Sequence, residues 1–241
     1  LVVERKGEPV KANGSSRRKE RALLVFVKEP VPGTVKTRLL PEFSREEAAA
    51  LSGAMVEDLL AVHGESEGHD TIVFFTPPDS LDRMRAWLGT DLTLLKQEGD
   101  NLGSRMRNAF AWAFGAGYGK VIIVGSDCLL VDKSDIEDAF NNLVESKLVI
   151  GPSEDGGYYL IGASTLGLSL FEGIRWGTEA VLRETMDRIA AAGVSTVLLG
   201  RKYDIDCCAD ARRFYSDYGR GAPRHPAPRS FEVLARVFDR S

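Results

Sequence analysis

The sequence predicts an α/β fold, with a mostly parallel central sheet and helices on both faces. Three observations predict it. Short apolar runs alternate with helix-length segments, and such alternation implies right-handed crossovers between parallel strands. The runs 22–27 (ALLVFV) and 120–124 (KVIIV) are almost continuously apolar, as strands buried on both faces are. Unusual polar loops follow strands at 28–38, 97–105 and 125–128, where folds of this kind bind ligands.

Taken in order, 22–27 is the first strand, and a loop punctuated by Pro30, Pro32 and Gly33 follows it to residue 40. The string Ser44-Arg45-Glu46-Glu47 is a capping box opening a helix to about residue 63. Residues 70–76 form a second strand stopped by Pro77-Pro78, and a short helix covers 81–88. A weaker strand spans 91–96, and a helix runs from about Ser104 to residue 114. After the strand 120–124, Ser134 is expected to cap a helix to about residue 145. Residues 147–150 and 157–161 are strands around the turn Glu154-Asp155-Gly156-Gly157. Thr178 opens a helix to about residue 193, and 194–199 is a further strand. The tail is helical, with a proline-rich break at 221–228. No repeat period stands out.

The 241 residues suit one α/β domain or two small ones. No internal linker interrupts the pattern after about residue 22, which favours one domain over 22–241. Residues 1–21 are expected to be a disordered leader or an appended remnant, since they mix Arg, Lys, Glu and Gly without an apolar signal segment. Arg17, Arg18 and Lys19 could touch an anionic partner, but a solvated tail is the simpler reading. The net charge of −4 argues against a broad nucleic-acid footprint. No apolar run is long enough for a membrane span. Three cysteines, Cys128, Cys207 and Cys208, make no disulfide framework and point to a reducing compartment, the cytoplasm.

Five constellations could carry chemistry. In the loop 28–38, Lys28, Lys36 and Arg38 can meet phosphate, Arg through its planar fork and Lys as a point charge. Gly33 permits close backbone approach, while Pro30 and Pro32 stiffen the loop. Neither a P-loop nor a GxGxxG fingerprint is present. Asp127, after Gly125-Ser126, stands at a strand's end and can hold a hard cation such as Mg²⁺ or Mn²⁺. A helix cap is the plainer alternative there. Glu154-Asp155-Gly156-Gly157 offers carboxylates for substrate contact, or is simply a hairpin turn. Asp204 and Asp206 share one side of an extended segment, which suits a cation or two solvated acids equally. Trp176 could wall a substrate or pack in the core. His63, His69 and His225 lie outside these loops, and no GxSxG elbow is present, which excludes the usual serine hydrolase pattern.

The strings FVKEPVPGTVKTRLLP, GDNLGSRMRNAF, VIIVGSDC, GPSEDGGYYLIG, LFEGIRWGT and YDID occur in this order. Together they resemble the bacterial rSAM/selenodomain-associated transferase family, a branch of the nucleotide-diphospho-sugar transferase superfamily with the Rossmann-like GT-A fold. The chain is also similar to phospholactate guanylyltransferases and molybdenum-cofactor nucleotidyltransferases. The resemblance covers roughly residues 22–215. It implies a nucleotide-phosphate loop at Lys28, Pro30, Gly33, Lys36 and Arg38. It implies base- and ribose-side contacts at Gly103, Arg105 and Met106, and a nucleotide contact at Ser126. Asp127 matches the metal-binding acid, and Asp204 and Asp206 match a late acidic motif that completes the metal site. Asp155, Gly156 and Gly157 match the acceptor side, with Trp176 beside them. Ser126 replaces the first acid of the usual pair.

These readings lead to a metal-dependent glycosyltransferase that takes a nucleotide-diphospho-sugar and a small-molecule acceptor. Asp127 with Mg²⁺ or Mn²⁺ would stabilise the departing diphosphate, and Asp155 would orient or deprotonate the acceptor. The alternative is nucleotidyl transfer from a nucleoside triphosphate with release of pyrophosphate. A non-catalytic nucleotide-binding module is the third reading, which the missing acid at Ser126 favours. The oligomeric state is not set by the sequence.

Overall fold

The computed structural model describes residues 20–40, 42–64, 66–144, 147–165, 168–218 and 227–240. The arm at Arg17 to Lys19, His225 and most of the proline-rich break lie outside them.

The first strand, β1 (Arg21–Lys28), begins a residue earlier than expected, at Arg21, whose guanidinium donates to Glu137 at 2.9 Å. Leu23, Val25 and Val27 enter one buried layer, and Ala22 and Leu24 enter the other. Both faces are covered, which is why the run shows no polar alternation. On one side β1 pairs in parallel with β2 (Asp70–Thr76), which pairs in parallel with β3 (Thr93–Lys96). On the other side it pairs in parallel with β4 (Lys120–Gly125).

Beyond β4 the sheet reverses once. The strands β5 (Leu148–Pro152) and β6 (Tyr158–Ala163) form a hairpin, and β6 lies antiparallel to both β4 and β5. The strand β7 (Thr196–Leu198) pairs in parallel with β5. The order is β3-β2-β1-β4-β6-β5-β7, with six strands running one way. A short turn can join only antiparallel neighbours, so the glycine turn at 156–157 dictates the single reversal.

Helices cover both faces. The helices α1 (Arg45–His63), α2 (Leu81–Leu88) and α4 (Lys133–Asn142) pack on the layer that holds Leu23, through Val56, Met84 and Phe140. The helices α3 (Leu102–Gly115) and α5 (Val181–Ala191) pack on the other, through Phe110 and Ile189. Each large aliphatic side chain so buried contributes about 1.5–3 kcal/mol.

Helix starts test the sequence reading closely. At α1 the Ser44 hydroxyl accepts from the Glu47 amide, and the Glu47 carboxylate accepts from the Ser44 amide, as the capping box requires. Elsewhere the caps move. Helix α3 starts at Leu102, two residues ahead of the expected start, because Asn101 caps it, and Ser104 closes the box from inside the helix. Asp132, not Ser134, caps α4, because its carboxylate reaches the Asp135 amide at 3.0 Å. Thr178 does not open α5, which starts at Val181, because its hydroxyl donates instead to the Arg175 carbonyl at 2.8 Å.

A third apolar cluster joins α1 to α6 (Cys208–Asp217) and α7 (Pro228–Phe238) through Leu39, Phe43, Leu51, Met55, Phe214 and Leu234. Buried Asp58 on α1 accepts from the Ser230 amide and hydroxyl, both at 2.8 Å, and from the Arg229 amide at 3.2 Å. A carboxylate fits the amino end of α7, where amides lack partners and the helix dipole is positive. Among the described residues, no helix is long and apolar enough to cross a membrane.

Candidate functional site

The carboxyl ends of four parallel strands form one edge. Lys28 stands beside Thr76 in the β1–β2 register. Phe75 pairs with Lys96, so Thr76 is level with Gln97. Phe26 pairs with Gly125, so Lys28 is level with Asp127. The row Asp127, Lys28, Thr76, Gln97 therefore crosses the edge, charged at one end and uncharged at the other.

A cleft of about 450 Å³ opens on this edge. Lys28, Lys36 and Arg38 line it from the first loop, and Ser126 and Asp127 from the end of β4. Asp204 and Asp206 line it from the segment ahead of α6. That segment is docked by the Ile205 amide, which donates to the Asp127 carbonyl at 3.0 Å, and by the Ile205 side chain, which is buried. The two flanking carboxylates are thereby turned toward the cleft.

Lys36 is the centre of the charged end. Its Nζ lies 2.6 Å from Asp127 Oδ1 and 3.0 Å from Asp206 Oδ1. It also donates to the Ile205 carbonyl at 2.6 Å. The side chain is 6% exposed. Burial opposes the ammonium charge, but Asp127 and Asp206 outweigh it and raise the pKa above the ordinary lysine value. Its φ of 47° is the one positive value among described non-glycine residues. A left-handed backbone at a non-glycine residue costs about 1–2 kcal/mol, so the three contacts of Nζ hold a conformation that the backbone alone disfavours.

The Lys28 ammonium donates to the Thr34 carbonyl at 2.6 Å and so closes the loop on itself. Arg38 is exposed at the rim. Burial pushes Asp204 up to about 7, and the charges of Asp127, Asp155 and Asp206 add to this, while the Ser153 hydroxyl bonded to Asp204 works against it. Burial likewise pushes the Cys128 thiol up to about 12, so it does not supply a thiolate ligand at neutral pH.

Other expected residues lie off the cleft lining. Pro30 and Gly33 lie in the loop without facing the cleft; Gly33 has a φ of +79° and Arg45 packs against it. A Cβ on Gly103 would come within 2.6 Å of the Trp176 indole, so Gly103 and Trp176 pack against each other. Arg105 donates through Nε to the Gly99 carbonyl at 3.0 Å, and Met106 is core. Asp155 is exposed and accepts from the Gly157 amide at 2.9 Å. Gly156 has a φ of +89°, and a Cβ there would meet the Glu179 carbonyl oxygen at 2.1 Å. Trp176 is half-buried, 6.4 Å from the cleft residue Tyr158 and edge-on to it.

The structure adds Phe26, Thr76, Gln97, Leu102 and Tyr158 to the lining. Thr76 and Gln97 had a signal, since each stands where a strand ends, but neither is a charged or glycine-rich landmark.

Among the described residues, no three histidine, cysteine or acidic side chains converge as a metal shell. Asp127 and Asp206 instead share the lysine. The donor chemistry nonetheless suits a hard cation, because all three acids offer carboxylate oxygens. Three cations and three carboxylates line the cleft, which is formally neutral when all are ionised. A bound diphosphate would leave that balance negative, and a divalent cation would restore it.

The fold is the α/β fold of the nucleotide-diphospho-sugar transferases. A profile for a family of uncharacterized proteins conserved in bacteria (DUF2064) matches residues 59–178. The crystal structure of a "putative nucleotide-diphospho-sugar transferase" from Desulfovibrio desulfuricans G20 superposes with a TM-score of 0.84 and 31% identity, over 92% of this chain and 96% of that one. The chain belongs to the family of that protein. A cytidylyltransferase from Leptospira borgpetersenii shares the fold, with a TM-score of 0.53 and 13% identity over 91% of this chain and 95% of its own. No curated protein matches the sequence.

Proposed function

We propose that the protein is a glycosyltransferase that takes a nucleotide-diphospho-sugar and passes its sugar to a small-molecule acceptor, with a divalent cation bound. The motif order, which resembles that of the rSAM/selenodomain-associated branch, supports this reading, and the three unpaired cysteines support action in the cytoplasm. The observation that carries this reading is the buried Lys36 ammonium set between Asp127 and Asp206 on the cleft wall. An anion-binding cation and cation-binding acids are needed side by side where a metal-chelated diphosphate docks.

In this reading Lys28, Lys36 and Arg38 bind the phosphate oxygens, and Arg38 adds a planar two-point grip. Asp127 with Asp206 and Asp204 would hold Mg²⁺ or Mn²⁺, once Lys36 turns from the acids to the donor. The ion would supply charge stabilisation to the departing diphosphate. The Ser126 side stays small and uncharged, which leaves room for the donor. Asp155 sits close enough to raise the pKa of Asp204, a place from which it could orient an acceptor hydroxyl. Gly156, Gly157 and Trp176 shape that flank.

Differential scanning with nucleotides and nucleotide sugars, with and without Mn²⁺, tests the proposal. A donor at 100 times its Kd stabilises by about 2.7 kcal/mol. Asp127→Asn should remove the metal-dependent part of that shift. Product analysis separates the transfer types: free nucleoside diphosphate fits sugar transfer, and pyrophosphate would replace it with nucleotidyl transfer. Unchanged metal-dependent affinity in Asp127→Asn would sink the role given to this acid.

A further inference from the structure

The uncharged end of the strand-end row has its own chemistry. Thr76 and Gln97 continue the row past Lys28. Neighbouring strands lie about 4.8 Å apart, so Gln97 stands roughly 14 Å from Asp127. A nucleotide with its phosphates at Lys28 and Lys36 would extend its base toward this end. Phe26 and Leu102 add apolar surface to the cleft.

Gln97 is held tightly. It is 7% exposed, and its backbone amide donates to the Phe75 carbonyl at 2.8 Å. Its side-chain Nε2 donates to the Phe74 carbonyl at 2.9 Å and to the Val27 carbonyl at 3.4 Å. Two carbonyls fix the amide orientation, because a flipped amide would set oxygen against oxygen. Both amide hydrogens are thereby committed. Oε1 accepts no hydrogen bond from another described residue, and the side chain lines the cleft. The cleft therefore meets a fixed acceptor without the donor that normally accompanies it.

We propose that Gln97 reads the nucleobase through Oε1, accepting from an exocyclic amino group, so that the site takes an amino-bearing base (cytosine or guanine) in preference to its counterpart without that amino group (uracil or hypoxanthine). This rests on the nucleotide reading above. A free glutamine pairs both amide atoms with the N–H and carbonyl of uracil. Here Nε2 is spent, and the uracil N–H brings two flanking carbonyl oxygens toward a lone acceptor. An amino group brings hydrogens only.

The test is calorimetric binding to the full chain with Mg²⁺, using two matched pairs. CDP and UDP differ in an amino or keto group, and GDP and IDP differ in one amino group. The amino member of at least one pair is expected to bind about tenfold more tightly, as one hydrogen bond to a buried acceptor allows. That ratio should fall below about twofold in Gln97→Met. A merely structural role for Gln97 would weaken both members alike and keep the ratio. The wild-type ranking needs no variant to fold: equal binding within both pairs, or preference for the keto member, overturns the proposal. A ratio that survives in Gln97→Met overturns it too. Absence of binding by all four nucleotides would overturn the nucleotide reading and this inference with it.

Discussion

Replacing Lys36 by methionine removes the ammonium and keeps the stem. At an effective dielectric near 20, a unit pair about 4 Å apart is worth about 4 kcal/mol, and Nζ meets two carboxylates at or inside that distance. Against this stands the cost of burying the ammonium, itself several kcal/mol. Asp127 is 54% exposed and Asp206 39% exposed, so solvent screens both partners and the attraction must be discounted. The Ile205 carbonyl also loses its donor, at about 1 kcal/mol. A net loss of about 2 kcal/mol follows, well short of the 3–5 kcal/mol of a fully buried pair. Urea unfolding at pH 7 measures it. In a cycle with Asp206→Asn, the coupling should be about 1 kcal/mol. A loss below about 0.5 kcal/mol with additive effects would refute the lysine-centred account. The sign with pH is fixed. The folded pKa of Lys36 is raised above the unfolded value, so its contribution is full below the unfolded value and fades as pH rises through the folded one. From neutral pH upward, the wild-type and Lys36→Met curves should therefore converge only in strong alkali.

The same protein supports three further expectations. Asp204 titrates near 7 in the folded chain, against 3.8 ordinarily. Its stabilising contribution is therefore full below pH 3.8 and is lost as pH rises through about 7; Asp204→Asn should gain at least about 1 kcal/mol on wild type between pH 5 and 8, and parallel urea midpoints across that range would contradict this. Gly156→Ala places a Cβ against a backbone oxygen at a positive φ, so it should cost about 2–3 kcal/mol, and an unshifted Tm would show that the turn has room. Gly103→Ala should push Trp176 from its seat, change the tryptophan emission and cost about 1–2 kcal/mol; an unaltered spectrum would count against that packing.

Local signals carried most of the architecture. The doubly covered β1 and β4 showed as unbroken apolar runs, and Ser44 with Glu47 marked α1, because those features depend on neighbours in sequence. The misplaced caps at Ser134 and Thr178 have separate causes. At α4 Asp132 took the place expected of Ser134, whereas at α5 no side chain caps the helix and the Thr178 hydroxyl turns back to the Arg175 carbonyl. At the site, the loop lysines and Asp127 announced themselves by following strands. That Lys36 would spend its charge on Asp206, 170 positions away, was not legible, since only the docking of Ile205 onto the end of β4 brings them together. Gln97 was passed over because an uncharged amide becomes informative only when its hydrogen-bond partners are known. Gly103 and Gly156 drew attention as ligand-facing glycines, whereas Trp176 and the Glu179 carbonyl fill the space beside them.

The bond from Asp58 to the start of α7 makes the last helix a lid over an adhesive surface. Leu39, Phe43, Leu51 and Met55 meet Leu234 of this helix, and Leu39 is three residues from the strained turn at Lys36 that enters the cleft wall. Severing the chain ahead of Pro228, or changing Asp58 to leucine, would bare that surface and free the back of the loop 28–38 together. A preparation lacking α7 should thus aggregate and lose nucleotide affinity as one event, although the helix contributes no atom to the cleft lining.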